Sequence, residues 1–125
     1  MTAVLADTHA LLWWLADDPR LSPHARGVIA SGEVPVHFSA ASVWEAEIKA
    51  AAGKLVAPRD LLEALEADGF LELRVCSRHA REAARLPLLH RDPFDRMIVA
   101  QARLEGLTVL TGDAKIAEYG ATVLW

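Results

Sequence analysis

Acidic side chains recur in this sequence where short apolar segments give way to segments with helical periodicity. Four of them stand at comparable junctions: Asp7, Glu45, Asp95 and Asp113. Carboxylates that converge repel one another and raise one another's pKa values. A hard divalent cation relieves that repulsion, and Mg²⁺ typically combines one or two carboxylates with waters and substrate phosphates. The four acids are therefore candidates for a shared metal site.

The segment HRDPFDR, residues 90–96, also has a purely structural explanation. Asp92 suits a helix N-cap, because its carboxylate can accept a hydrogen bond from a free backbone N–H. Pro93 suits the first helical position, where a missing N–H costs nothing. Asp95 then occupies the partner position of a capping box. Capping alone could account for both aspartates, unless Asp95 uses the start of the helix to direct its carboxylate at a metal.

The other three acids can be explained by capping in the same way. Ser42 and Glu45 in SVWE form the pattern of a capping box. Asp7 could cap a helix that begins near His9, and Asp113 could be a plain N-cap. Serine, threonine or asparagine would cap these helices equally well, so capping does not explain why every junction carries an acid.

The elements that would position these acids alternate along the chain. Strands are expected at 3–6, 34–38, 70–75, 107–110 and 121–124, and Pro35 suggests that the second lies near a sheet edge. Helices are expected at 9–16, 22–32, 42–53, 58–69, 77–86, 93–105 and 114–118. This alternation predicts an α/β fold with a mainly parallel sheet and helices on both faces. The acids would then meet outside the carboxyl ends of the strands.

Composition limits the possible classes of protein. The 125 residues are 53% hydrophobic and 24% charged, which predicts one globular domain spanning 1–125. The net charge of −4 is unusual for a protein that holds nucleic acid by surface charge alone, so cations would have to supply part of the attraction. No signal sequence or membrane-length apolar run is visible, and a cytoplasmic protein is expected. Cys76 cannot form an internal disulfide and is expected to be a small core residue of a strand.

Several other patterns are interpreted structurally. GKL at 53–55 lacks the remaining residues of a P-loop, and the five histidines show no paired spacing that would favour a zinc site. Trp13 and Trp14 are expected in the core, although adjacent helical residues cannot face the same way and one could lie at an interface. Met97, Ile98 and Val99 are likewise expected in the core.

Four segments together resemble the PIN-domain family, and more narrowly its VapC-type toxins of bacterial toxin–antitoxin pairs. They are LADTHALLWWL at 5–15, SAASVWEAEIKAAAGKL at 39–55, HRDPFDRMIVAQA at 90–102 and TVLTGDAKI at 108–116. The resemblance spans nearly the whole chain, with the motifs in family order. It implies a three-layer α/β/α sandwich around a central, mainly parallel twisted sheet.

The resemblance also implies a Mg²⁺- or Mn²⁺-dependent endoribonuclease that hydrolyses RNA phosphodiester bonds. The family's acidic metal-binding positions match four residues of this chain: Asp7, Glu45, Asp95 and Asp113. Glu45 would bind the metal directly or through a water. Accessory positions would be Asp92, Thr111 and Thr8. The implied partners are a cognate antitoxin, whose C-terminal segment inserts a basic side chain into the acidic site, and a second copy of the chain in a homodimer; no membrane is involved.

Three basic side chains lie close to the acids in the sequence and could hold neighbouring phosphates of the RNA: His90, Arg91 and Arg96. Each is explained at least as well as a solvated charge of a loop or helix. Arg96 could also pair with a nearby acid.

Alternatives of other classes remain open. A phospho-receiver domain would need an acidic pair after the first strand, where Asp7 is followed by Thr8, and Lys115 is a poor substitute for its late lysine. A haloacid-dehalogenase-type phosphatase would need D-x-D where this chain has D-T-H. A PIN-like module that binds without catalysis is also compatible with the fold, although the intact set of acids argues against it.

Overall fold

A sheet of five parallel strands forms the centre of the computed structural model, which describes residues 3–125. The strands are β1 (Val4–Ala6), β2 (Val36–Ser39), β3 (Leu71–Leu73), β4 (Thr108–Leu110) and β5 (Val123–Leu124). Their order is β3-β2-β1-β4-β5, and every neighbouring pair is parallel. The chain builds outward from β1 to one side and then to the other, so strand order reverses between β1 and β4. In open parallel sheets ligands bind at this point, outside the carboxyl ends of the strands.

Helices cover both faces of the sheet, because successive side chains of a strand point to opposite faces. Val4 and Ala6 pack into one core with α1 (Thr8–Leu15), α2 (Pro23–Ser31), α3 (Ala40–Ala51) and α4 (Leu61–Ala67). Leu5 packs into a second core with α6 (Pro93–Glu105) and α7 (Ala114–Ala117). Against α6 lies α5 (Ser77–Arg85). The predicted three-layer α/β/α sandwich is confirmed.

Two expectations about the edges of elements are wrong. Pro35 precedes β2 and contributes its carbonyl to Val4 N at 3.0 Å, so its missing N–H does not disturb the ladder. Strand β2 therefore lies inside the sheet, between β3 and β1, and not at an edge. Cys76 is not a core residue of a strand, because β3 stops at Leu73 and Cys76 lies exposed at the N-cap of α5.

The apolar positions of two helices are partly as expected. Ile98 and Val99 of α6 are buried, whereas Met97 is only partly covered. Trp13 and Trp14 both pack against the core from half-buried positions. Within residues 3–125, no helix combines the length and apolarity that crossing a membrane requires.

Candidate metal centre

Asp7 connects the end of β1 to the start of α1. Its Oδ1 accepts a hydrogen bond from Ala10 N at 2.8 Å, so the predicted N-cap is confirmed. Its Oδ2 accepts a hydrogen bond from the hydroxyl of Thr111, which follows β4. Burial raises the pKa of Asp7 above its ordinary value, and the bond from Thr111 opposes that rise. Asp7 is thus held in a fixed position at the point where strand order reverses.

Asp113 is held by the same threonine. The Thr111 hydroxyl oxygen accepts a hydrogen bond from Asp113 N at 3.0 Å while donating to Asp7. Asp113 Oδ1 accepts from Lys115 N at 2.9 Å, which confirms the predicted N-cap of α7. Because one hydroxyl bonds to both residues, the carboxylates that follow β1 and β4 are positioned together.

Gly112 allows the loop between these acids to meet an aromatic ring. A Cβ built on Gly112 would lie 2.8 Å from Cε2 of Trp125. The Trp125 ring in turn packs edge-on against Trp13, with centroids 5.9 Å apart. The absence of a side chain at position 112 therefore lets the indole support the loop that carries Asp113.

We expect Gly112→Ala to destabilise the protein by about 1–3 kcal/mol, because the indole or the loop must move to admit the methyl group. Chemical denaturation would measure the free energy of unfolding. Gly27→Ala is the matched control, since Gly27 lies within α2 and an added Cβ there meets nothing within 4 Å. Equal unfolding free energies for the two variants would contradict the supporting role of Trp125.

Asp92 and Asp95, at the start of α6, have different roles. Asp92 caps the helix, accepting from Phe94 N at 2.8 Å, and Pro93 occupies the first turn, as predicted. The capping box expected for Asp95 is wrong, because Asp92 N donates to Nδ1 of His90 instead, at 3.3 Å. Asp95 Oδ2 lies 2.9 Å from His90 Nε2. Asp95 therefore contacts a histidine of the preceding loop and does not cap its own helix.

The charges of the other acids act on Asp95. The pKa of Asp95 is raised to about 7, chiefly by burial and then by the negative charge of Asp92. Glu45 and Asp7 contribute to this rise, and His90 opposes it. Near neutral pH this carboxyl is therefore only partly ionised. Such an excess of negative charge is what a bound cation would relieve.

His90 bridges two of the acids. Its Nε2 lies 2.9 Å from Asp95 Oδ2 and 3.6 Å from Asp113 Oδ2, and the three potential ligand atoms lie within 4.8 Å of one another. Because Nδ1 accepts a hydrogen bond from Asp92 N, the proton of the neutral ring is assigned to Nε2. In this arrangement His90 donates to Asp95, and Nε2 could ligate an ion only in the other tautomer, which would break the bond from Asp92 N.

Glu45 occupies the other side of the acidic group. Helix α3 begins at Ala40 with Ser39 as its cap, so Glu45 lies inside the helix and the predicted capping box with Ser42 is wrong. Glu45 is 2% exposed. Its Oε1 accepts from the Thr8 hydroxyl at 2.6 Å, and its Oε2 forms an ion pair with Lys49.

The three basic residues that were expected to contact RNA phosphates lie in different environments. Arg91 is exposed, and His90 lies between the acids. Arg96 is buried, and its guanidinium donates to five backbone carbonyls: those of Ala83, Ala84, Leu86, Pro87 and His90. The expectation that Arg96 holds a phosphate is therefore wrong, and so is the alternative of a pairing with an acid. Arg96 instead ties the end of α5 and the following loop to α6.

The sequence interpretation missed two features of this centre. It treated His90 only as an RNA contact, and it assigned nothing to Lys49. The spacing of four residues between Glu45 and Lys49 on a helix was the available signal for their pair. The two threonines expected as accessory residues both bond to acids, Thr8 to Glu45 and Thr111 to Asp7.

Comparisons with known proteins agree with this fold. Residues 4–121 match the PIN domain family. Among curated proteins the search finds no match. The fold is similar to DNA-bound VapBC from Salmonella typhimurium, with a TM-score of 0.72, 20% identity, and 99% of this chain and 98% of that chain covered. It is also similar to VapBC2 from Rickettsia felis bound to a promoter DNA fragment (TM-score 0.70, 12% identity, 98% of each chain) and to a toxin–antitoxin complex from Klebsiella pneumoniae (TM-score 0.68, 17% identity, 98% and 97%).

At these identities the solved structures establish similarity of fold. The family match covers nearly the whole chain, and the fold and the cluster of acids at the switch point agree with it. The chain therefore belongs to the PIN-domain family.

Proposed function

We propose that the chain is a VapC-type toxin whose acidic centre is the site of a Mg²⁺- or Mn²⁺-dependent endoribonuclease. The observation that carries this proposal is the convergence of Asp95 and Asp113 around His90, with ligand atoms within 4.8 Å. The negative charges of Asp7 and Glu45 act on the carboxyl of Asp95 and help to raise its pKa. Membership of the PIN-domain family leaves the phospho-receiver alternative without support.

The donor set fits a hard divalent ion. Asp95 and Asp113 would hold it with Asp7, since these carboxylates supply oxygen ligands at one edge of the sheet. When bound, such an ion supplies Lewis-acid chemistry, polarising a phosphodiester and lowering the pKa of a water. Thr111 fixes the relative positions of Asp7 and Asp113. Exposed Arg91 is available to a neighbouring phosphate, and Asp92 contributes by capping the helix that carries Asp95.

The proposed partners are an antitoxin, an RNA substrate and a second copy of the chain. The structural neighbours include two VapBC complexes bound to DNA and a toxin–antitoxin complex, which supports a cognate antitoxin for this chain. An apolar groove of about 400 Å³ suits the homodimer. It is lined by Trp44, Val75, Phe94 and Met97, among others, and Trp44 is 63% exposed.

The proposal predicts that Asp7→Asn keeps the fold and loses RNA cleavage by at least about a hundredfold, an effect of about 2.7 kcal/mol or more on the activation barrier. Asparagine can still cap α1, and it removes a carboxylate that burial disfavours. Cleavage of a mixed RNA pool by purified protein would be measured with Mg²⁺, with Mn²⁺ and with EDTA.

Asp60→Asn is the matched control, because Asp60 is exposed and makes no side-chain capping bond at the start of α4. It should cut RNA like the wild type. If the wild type binds Mn²⁺ but cuts no RNA in the pool, the binding-module alternative replaces the nuclease. If it binds no Mn²⁺, the acids have structural roles only.

A further inference from the structure

Lys49 is the cation that the chain itself places in the acidic centre. It lies one turn after Glu45 on α3 and forms an ion pair with Oε2 of that residue. The side chain of Lys49 is 31% exposed, whereas that of Glu45 is 3% exposed. The ammonium also lies over the ring of Phe94, 5.8 Å from its centroid. This lysine is therefore held from two sides beside the first turn of α6.

The charges around Lys49 belong to the same group of acids. Its pKa is raised, first by the hydrogen bond to Glu45 and then by the negative charges of Glu45, Asp92 and Asp95. Lys49 is thus a cation at neutral pH and shares the field of the acids that would hold a metal. Among the described residues, Lys49 forms an ion pair with Glu45 alone.

Glu45 differs from Asp7 in the kind of partner its oxygens have. Asp7 accepts hydrogen bonds from the neutral donors Ala10 N and Thr111, and a carboxylate oxygen that accepts one such bond keeps a lone pair for an ion. Glu45 is compensated by a full positive charge at Oε2 and accepts from Thr8 at Oε1. A divalent ion at Glu45 would have to displace an ammonium or stand beside it.

We propose that this centre binds one divalent ion, which lies beside Asp95 and Asp113. The Lys49 ammonium lies beside Glu45 and takes the place of a second ion there, a position called the Glu45 side. Glu45 then holds Lys49 and is not a metal ligand. This inference rests on the proposed metal site and specifies its occupancy. Lys49 acts as a positioning residue, because it sets how many ions the acids accept.

Electrostatics explains why the two cations exclude each other. An ammonium and a divalent ion repel each other with twice the energy of two unit charges at the same distance, and the repulsion grows where water is partly excluded. Removing the ammonium both ends this repulsion and leaves a buried carboxylate unpaired. The Glu45 side would then become a second site for an ion.

The experiment counts Mn²⁺ ions bound per chain, using the electron paramagnetic resonance signal of unbound Mn²⁺ during a titration of the full protein. We expect one ion for the wild type, two for Lys49→Met and one for Lys54→Met. The last variant is the control, because Lys54 is exposed and lies just beyond the same helix. Two ions in the wild type, or only one in Lys49→Met, would overturn the proposal.

A charge-balanced double variant, Glu45→Gln with Lys49→Met, keeps the test valid if the single variant folds poorly. It removes the pair without leaving either charge alone. If Glu45 is not a ligand, this protein binds one Mn²⁺ with an affinity within about threefold of the wild type, a difference of about 0.7 kcal/mol. A loss of tenfold or more would show that Glu45 ligates the ion.

The same titration separates this inference from the proposed function. Absence of Mn²⁺ binding in every variant would refute the metal centre itself. Binding of two ions by the wild type together with RNA cleavage would leave the nuclease intact and refute only the role of Lys49.

Discussion

Replacing Asp95 with asparagine is expected to stabilise the ion-free protein above pH 7 while eliminating RNA cleavage. The carboxyl of Asp95 has its pKa raised to about 7, chiefly by burial and by the charge of Asp92. At pH 8 the folded protein therefore keeps a carboxylate that its surroundings disfavour. Asparagine has nearly the same shape and carries no charge, so the penalty disappears together with the metal ligand.

The direction of the pH dependence follows from the two pKa values. The ordinary value of 3.8 applies to the unfolded chain, and the folded value is about 7. Between them the folded state binds more protons than the unfolded chain, so the free energy of unfolding falls as pH rises through this window. The penalty is absent below about pH 4 and complete above about pH 7. Its upper limit is about 4 kcal/mol, since each pKa unit corresponds to about 1.4 kcal/mol.

Denaturation in EDTA at pH 5 and pH 8 would measure this effect. Asp95 is one-fifth exposed and interacts with His90, so we expect Asp95→Asn to gain about 1–3 kcal/mol over the wild type at pH 8 and less at pH 5. Added Mn²⁺ should stabilise the wild type and have little effect on the variant. If the variant is no more stable than the wild type at pH 8, the ionised carboxylate of Asp95 does not destabilise the folded protein.

The features that sequence predicted correctly are those fixed by local chemistry. Helix α6 runs from Pro93 to Glu105 as expected, because Asp92 caps its start and Gly106 adopts the left-handed conformation at its end. The convergence of the acids could also be anticipated, because a parallel sheet brings the ends of its strands to one edge. Both inferences require only residues near each other in the chain, together with the class of the fold.

The errors come from contacts between distant segments. Glu45 fits a local capping box with Ser42, but its actual partner across the fold is Thr8, 37 residues earlier. Cys76 follows a segment that alternates like a strand, but β3 ends at Leu73, so the residue becomes an exposed cap. His90 lies beside Asp113, 23 residues later in the chain, and no periodicity indicates that contact. A local pattern states what a residue can bond, whereas packing decides which partner it meets.

Arg96 is the largest of these differences, and it leads to the second prediction. We expect Arg96→Met to destabilise the protein by about 3–5 kcal/mol, because several buried carbonyls lose a charged donor at once. The guanidinium bonds Leu86 O at 2.8 Å and both Ala83 O and Pro87 O at 2.9 Å. Methionine can fill the space of the apolar stem but donates no hydrogen bond.

Arg91→Met is the matched control, because Arg91 is exposed and five residues away in the same segment. Its unfolding free energy should stay within about 0.5 kcal/mol of the wild type. Amide hydrogen exchange should show lost protection from position 83 to position 90 only in the Arg96 variant. A phosphate-binding arginine would give the opposite result, with cleavage weakened and stability unchanged.

The same loop links Arg96 to the metal centre. Arg96 bonds the carbonyl of His90, and Tyr119 accepts a hydrogen bond from His90 N at 2.8 Å. Loosening this loop would release the histidine that bridges Asp95 and Asp113. Arg96→Met should therefore reduce cleavage even at a temperature where circular dichroism shows the variant to be folded, whereas Arg96→Lys should retain part of the stability by restoring a charged donor. Normal cleavage by folded Arg96→Met would mean that the position of His90 is not needed for the chemistry.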